Sequence, residues 1–168
     1  MISQGLRMSP SEIERKFLVR EVPKNAENPP SVEISQGYLA VSDAGTEIRL
    51  RHIGHSYVLT VKSGQGMKRK EREIEMSREQ FGQLWPLTEG KRVAKKRYKI
   101  EKSGFTIELD IYHGALEGLR TAEVEFKTQE EAALFIPPSW FDKDVTMDER
   151  YKNKNLALHG LPEDFQPN

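Results

Sequence analysis

Along most of the chain, apolar and polar side chains alternate with a period of two, the pattern of strands with one buried face. The runs cover roughly 12–20, 37–41, 46–53, 56–62, 69–76, 92–101, 104–112 and 119–127. Turn formers separate them: Asp43-Ala44-Gly45, Gly54, Ser63-Gly64-Gln65-Gly66, Ser103-Gly104, and His113-Gly114 through Glu117-Gly118. The segment 21–36, with three prolines, reads as a surface loop. Helical signals are fewer. Ser77-Arg78-Glu79-Gln80 has the form of a helix N-cap, with Phe81, Leu84 and Trp85 as an apolar stripe ahead of Pro86. Thr128 opens a second short helix that ends before Pro137-Pro138, and Asp148 caps a last one through about Leu158. Eight short strands with a few flanking helices predict a mainly β (α+β) fold, an antiparallel barrel or strongly curved sheet.

Sorting each strand by parity changes the picture. One face carries Glu12, Glu14 and Lys16, then Arg49 and Arg51, then Lys62, then Glu71, Glu73 and Glu75. It continues with Lys95 and Arg97, Glu108 and Asp110, and Glu123 and Glu125. The opposite face carries Ile13, Phe17, Val19, Ile48, Leu50, Leu59, Val61, Ile74, Met76, Tyr98, Ile100, Ile107, Leu109, Ala122, Val124 and Phe126. A half-buried antiparallel sheet always has a polar outer face, and for one strand that explanation is enough. An ordinary solvent face, however, mixes Ser, Thr, Gln and Asn with its charges. Here acids pair as Glu-x-Glu or Glu-x-Asp on four strands, and like charges side by side cost a few tenths of a kcal/mol or more per pair.

A ligand would offset that cost. Mg²⁺ and Mn²⁺ take hard oxygen donors from carboxylates, water and phosphate. Arg recognises phosphate through a planar fork and Lys as a point charge. A surface that combines acid pairs with Arg-x-Arg and Lys-x-Arg reads as a metal–polyphosphate site. If the sheet closes with this face inward, the charges line a tunnel and the apolar face packs under the helices.

Composition narrows the alternatives. The 168 residues include 26 basic and 26 acidic side chains, a formal net charge of zero, which argues against a chain-wide nucleic-acid patch. Cysteine is absent, which excludes disulfides, zinc–thiolate sites and cysteine nucleophiles. No apolar run approaches the length of a membrane span, and the N-terminus lacks the apolar middle of a signal peptide, so a cytoplasmic protein with no membrane partner is expected. Residues 1–10 read as a loose leader, 11–160 as one domain and 161–168 as a tail.

Glu12-Ile13-Glu14-Arg15-Lys16 matches the ExExK signature of the CYTH superfamily, the triphosphate tunnel metalloenzymes. The later stretches EIRLR, LTVKS, IELDIYHG, AEVEF and VTMDERYKNKNLAL follow in the family's order, and the likeness covers about residues 11–158. The chain resembles most the short bacterial inorganic tripolyphosphatases. The resemblance implies an eight-stranded antiparallel tunnel that holds a linear triphosphate with one or two divalent metals, Mg²⁺ or Mn²⁺. Carried over by motif, Lys16, Arg49, Arg51, Lys62, Lys95 and Arg97 would bind phosphate, and Glu12, Glu14, Asp110, Glu123 and Glu125 would hold metal directly or through water. Glu71, Glu73, Glu75 and Glu108 would sit behind them or orient water. Tyr38 matches a proposed proton acceptor, either with a phenol acidified by Lys95 or simply hydrogen-bonded to that lysine.

The reaction this implies is metal-assisted hydrolysis of a phosphoanhydride, with a small-molecule triphosphate as substrate and a monomer or homodimer as the working unit. Nucleoside or thiamine triphosphatase and adenylyl cyclase activities share the tunnel chemistry. No aromatic cage in the loops at 21–36 or 113–118 offers an organic group a seat, which favours the inorganic substrate. A non-catalytic polyphosphate-binding module would need the cations but hardly the acids. Other conspicuous residues read as structural. His52, His55, His113 and His159 lie at turns or element ends, Trp85 and Trp140 as packing, and Lys68-Arg69-Lys70 as a mostly solvated run. Arg150, Tyr151 and Asn153 belong to a terminal helix that would plug one tunnel end.

Overall fold

A computed structural model describes residues 13–24, 29–64 and 70–167. Glu12 and the basic pair Lys68-Arg69 lie outside the described residues. Nine strands form one sheet: β1 (Ile13–Val19), β2 (Ser31–Val41), β3 (Glu47–Ile53), β4 (Ser56–Ser63), β5 (Lys70–Met76), β6 (Arg92–Lys102), β7 (Phe105–His113), β8 (Arg120–Phe126) and β9 (Phe141–Asp144). The helices are α1 (Arg78–Leu84), α2 (Gln129–Leu134) and α3 (Asn153–His159). Spatial order is β5-β4-β3-β2-β6-β7-β8-β1-β9, and every neighbouring pair is antiparallel. The mainly β architecture is as expected, but among the described residues edge strands β5 and β9 do not pair with each other, so no hydrogen bonds between them close the ring. Among the described residues no helix is long and apolar enough to cross a membrane.

Two strands differ from the sequence expectation. Residues 31–36 are strand, not loop: they pair with β6 from Ser31↔Tyr98 to Gln36↔Val93. The alternation of Val32 and Ile34 with polar neighbours is a strand pattern, but the adjoining prolines obscure it. Strand β9 is four residues long, too short to show a period, and docks on β1 through Phe17↔Asp144 and Val19↔Phe141.

The helices follow their caps. Ser77 and Gln80 form a reciprocal capping box at α1. The chain does not stop at Pro86 but tightens into a 3₁₀ turn over Trp85–Thr88, where proline near the start sacrifices no hydrogen bond. That turn seats on β2 because residue 37 is glycine: a Cβ there would meet the Thr88 side chain at 2.5 Å. Asp148 caps only a single turn, Glu149–Tyr151; Lys152 is extended, and α3 begins anew at Asn153.

The parity sorting holds through the register. Glu14↔Glu125, Lys16↔Glu123, Glu108↔Glu123 and Arg97↔Asp110 are partners on one face. On the other, Phe17, Val19, Ile107, Leu109, Ala122, Val124 and Phe126 form a core closed by α2 and by Phe135 and Phe141. Arg15 ties that side together: its guanidinium pairs with Asp144 at 2.8 Å, donates to the carbonyls of Ala132 and Phe135 and lies 4.9 Å from the Phe17 ring. A second core unites Tyr38, Tyr112, Leu116, Val145, Tyr151, Leu156 and Ala157, so α3 packs against the charged face of β2 and β6.

Candidate active site

The charged face has two differently built walls. On β6, β7, β8 and β1 the cations have carboxylate partners. Lys95 Nζ is 2.7 Å from Asp110 Oδ2, with side-chain exposures of 2% and 0%. Arg97 grips the same carboxylate as a fork, Nε to Oδ1 at 2.7 Å and Nη2 to Oδ2 at 2.8 Å, and its Nη1 reaches Glu108 at 2.6 Å. Lys16 meets Glu123 at 2.9 Å. Burial opposes ionisation of Asp110, yet Lys95 and then Arg97 hold its pKa down at about 2. The same contest, won by Lys16 and then Lys95, keeps Glu123 below the usual carboxylate range. Burial acts against Lys16 and Arg97 too, but Lys16 is raised by Tyr112 and Glu123, and Arg97 by Asp110.

On β3 and β4 the cations are built otherwise. Arg49 donates to the Thr60 hydroxyl at 3.4 Å, which in turn donates to Glu73 at 3.3 Å. Arg49 and Arg51 make no ion pair with a carboxylate among the described residues, and the Nε of each is buried without a hydrogen-bond partner. Burial, and then the neighbouring Arg49, pulls the Arg51 guanidinium down to about 10, still charged at neutral pH. Lys62 and Glu71 make a looser pair at 3.5 Å. Glu73 and Glu75 are exposed on the edge strand.

Tyr38 lies between these walls with partners other than Lys95. Its hydroxyl accepts from Gln36 Nε2 at 3.3 Å, and the Arg49 guanidinium lies near enough to act on it electrostatically. Burial raises its pKa, a shift that Arg49 only partly offsets. Lys95 instead contacts Asp110, Asn153 Oδ1 at 3.5 Å and the face of Tyr112 at 5.4 Å. The acidified phenol and the Tyr38–Lys95 hydrogen bond expected from the sequence are therefore not found, because Asp110 supplies the lysine with a better acceptor.

Several residues of this face escaped the sequence reading. Tyr112 continues the Glu108, Asp110 alternation and donates to Asn153 Oδ1 at 2.8 Å. Glu47 continues Arg49 and Arg51 and pairs with Lys154 of α3 at 3.2 Å. Gln36, Thr60 and Thr121 are buried on the same face. Parity alone would have found all but Asn153 and Lys154, which a helix brings from the far end of the chain.

The donor set suits a hard divalent cation. Glu14 and Glu125 face each other across β1 and β8, and Glu125 is open to solvent. Among the described residues no group of three or more His, Cys, Asp or Glu side chains converges as a metal site. Mg²⁺ commonly uses only one or two carboxylates and completes its shell with water and phosphate.

A sheet of this topology, with one ionic face and a helix across its end, is the architecture of a triphosphate tunnel metalloenzyme. The CYTH domain model matches residues 10–137, and the chain belongs to that family, in which metal dependence is general. It is 47% identical to an inorganic triphosphatase of Nitrosomonas europaea over 149 residues, 88% of this chain and 97% of that one. An inorganic triphosphatase of Acetivibrio thermocellus is 36% identical, covering 87% and 92%. The crystal structure of an inorganic triphosphatase 47% identical to the chain superposes with a TM-score of 0.74 and covers 88% of this chain and 95% of that one. A Pyrococcus horikoshii protein, 18% identical with a TM-score of 0.52 over 78% of this chain and 94% of that one, shares the fold alone.

Proposed function

We propose that this protein is an inorganic triphosphatase that hydrolyses a phosphoanhydride bond of tripolyphosphate with Mg²⁺ or Mn²⁺. The observation that carries the proposal is the pair Arg49 and Arg51, whose Nε atoms are buried without partners on the face that also carries the carboxylates. A buried guanidinium donor without a partner is costly, and a multiply charged anion supplies the missing acceptors. The 47% identity to an inorganic triphosphatase supports the same substrate.

Arg49, Arg51 and Lys62 bind the substrate's phosphates on one wall, and Lys16, Lys95 and Arg97 present fixed positive charge from the other. That charge stabilises the negative charge that develops on the leaving phosphate, so positioning and electrostatics carry most of the barrier reduction. Glu14, Glu125, Glu123 and Glu12 provide carboxylate oxygens for the divalent ion. When bound, that ion neutralises phosphate oxygens and makes water a better nucleophile. Tyr38, neutral at physiological pH, donates a hydrogen bond. Tyr112, Tyr151 and Leu156 exclude water from the end covered by α3.

The experiment is phosphate release from tripolyphosphate, pyrophosphate, ATP and thiamine triphosphate in Mg²⁺, Mn²⁺ or EDTA. Selective, metal-dependent turnover of tripolyphosphate that is lost in Glu14→Gln is the expected result. Equal turnover of ATP would make the protein a general triphosphatase. Tight tripolyphosphate binding without turnover in any metal would reduce it to a binding module.

A further inference from the structure

We propose that Asp110 is a positioning residue of this site, the shared counter-ion that holds Lys95 and Arg97 in place, and not a metal ligand. The inference rests on the triphosphatase reading above and departs from the metal-binding role that family likeness implies for this residue.

The argument begins with the acceptors. A carboxylate has two oxygens with about four lone-pair sites, and three of Asp110's are used: one on Oδ1 by Arg97 Nε, and two on Oδ2 by Arg97 Nη2 and Lys95 Nζ, all at 2.7–2.8 Å. Its side chain is 0% exposed, and its partner on β8 is Thr121, not one of the acids. A divalent ion at the remaining site on Oδ1 would be buried beside two positive charges, and displacing either of them would leave a charge buried without its partner, the costly way to break a buried pair. Glu125, by contrast, is open to solvent, on the strand register opposite Glu14.

The cations, in turn, need Asp110. Lys95 and Arg97 stand two apart on β6, so their charges lie on one face and repel. The Arg97 fork fixes the plane of the carboxylate, and that fixed Oδ2 then fixes the end of the flexible Lys95 stem. The other contacts of Lys95, Asn153 Oδ1 at 3.5 Å and the Tyr112 ring, are long. Without Asp110 the ammonium keeps the field of Glu123 but loses its one short hydrogen bond, so nothing fixes its position closely. Glu108 keeps one hold on Arg97 but none is recorded on Lys95.

The test is Asp110→Asn in the full chain, with fold checked by near-ultraviolet circular dichroism. A misplacement of about 1 Å can cost on the order of a hundredfold in rate, so kcat for tripolyphosphate falls about that much. Mn²⁺ affinity, read from the electron paramagnetic resonance of free Mn²⁺, stays within about threefold of wild type, as does tripolyphosphate affinity measured by calorimetry in EDTA. A tenfold or greater loss of Mn²⁺ affinity overturns the proposal, because losing even an outer partner of a metal site typically costs 10–100-fold. In a Lys95→Gln background, Asp110→Asn costs less than about tenfold in kcat/KM; the full hundredfold there overturns it too. If Asp110→Asn does not fold, Lys95→Gln alone decides. Removing one of the two donors on Oδ2 leaves Mn²⁺ affinity within about threefold if Asp110 only positions, and tightening by tenfold or more overturns the proposal. Because both binding measurements proceed without turnover, an inactive wild type would refute the triphosphatase reading while leaving the role of Asp110 decidable.

Discussion

The two walls of the charged face use the same residue types for opposite ends. On β6–β7–β8–β1 each cation has its counter-ion inside the protein: Lys95 and Arg97 share Asp110, and Lys16 has Glu123. On β3, Arg49 and Arg51 have no carboxylate partner among the described residues, and each keeps a buried Nε unsatisfied. A paired cation is fixed before any ligand arrives. An unpaired one carries its desolvation cost until an anion comes, so that cost works for binding. The difference assigns tasks: the first wall presents preorganised charge to the reaction, and the second captures the substrate.

The largest effects should come from removing the captors. Arg49→Ala or Arg51→Ala should lower kcat/KM for tripolyphosphate by about 10²–10³, or roughly 3–4 kcal/mol. The loss should lie mainly in KM and in tripolyphosphate affinity measured in EDTA, whereas Lys95→Gln should act mainly on kcat. Steady-state kinetics with the same substrate checks both. An identical kcat and KM split at the two walls would erase the distinction.

The paired wall makes its own prediction in acid. Asp110 has a folded-state pKa of about 2, below its ordinary value of 3.8, so its pairing stabilises the protein above that ordinary value and is lost as pH falls through 2. The shift corresponds to about 2 kcal/mol. Urea unfolding should therefore show the stability gap between wild type and Asp110→Asn narrowing by about that amount between pH 5 and pH 2. A constant gap would mean that the carboxylate is not held by the two cations.

How far this division could be read from the sequence depends on the kind of information it needs. Strand parity placed Lys95, Arg97, Asp110, Arg49 and Arg51 on one face, because a period of two survives folding unchanged. Which acid pairs with which base depends on strand order, and the placing of β6 beside β2 is one that no local pattern specifies. For the same reason Lys95 was assigned to Tyr38 when its partner is Asp110 across the β6–β7 hairpin. That hairpin was legible, since Ser103-Gly104 is a turn-forming pair between two alternating runs, and both residues take the positive φ of a tight two-residue turn. The contact of Lys154 with Glu47 was not, since only tertiary packing brings α3 over β2 and β6, and Asn153 was placed at a tunnel end by family resemblance alone.

The unpaired wall should also be unstable where it is functional. Replacing Arg51 by Met keeps the stem, which packs, and removes a charge whose burial and neighbouring Arg49 already pull its pKa down to about 10. Apolar replacement of such a charge is commonly neutral or stabilising, so Arg51→Met should gain about 1 kcal/mol, a rise in Tm of roughly 2–4 °C, while losing tripolyphosphate binding. Thermal unfolding without ligand reads the first effect and calorimetry the second. Destabilisation of the free protein by Arg51→Met would show that this guanidinium is already satisfied and would align it with the paired wall.

The smallest effect belongs to Lys62 and Glu71, which lie on the capture side of the face but are paired. Their separation is 3.5 Å, and their side chains are 23% and 35% exposed, so water screens them far more than the 2.7 Å pair of Lys95 with Asp110. Exposed pairs of this kind contribute between nothing and about 1 kcal/mol. Glu71→Gln should change unfolding stability by less than about 0.5 kcal/mol. Freed of its partner, Lys62 has one fewer carboxylate competing with phosphate, so tripolyphosphate affinity in EDTA should rise by about twofold at low salt and return to the wild-type value at high salt. Calorimetry at two ionic strengths separates the outcomes. A salt-independent loss of affinity would place Glu71 in the fixed machinery and move the boundary between the walls to β4.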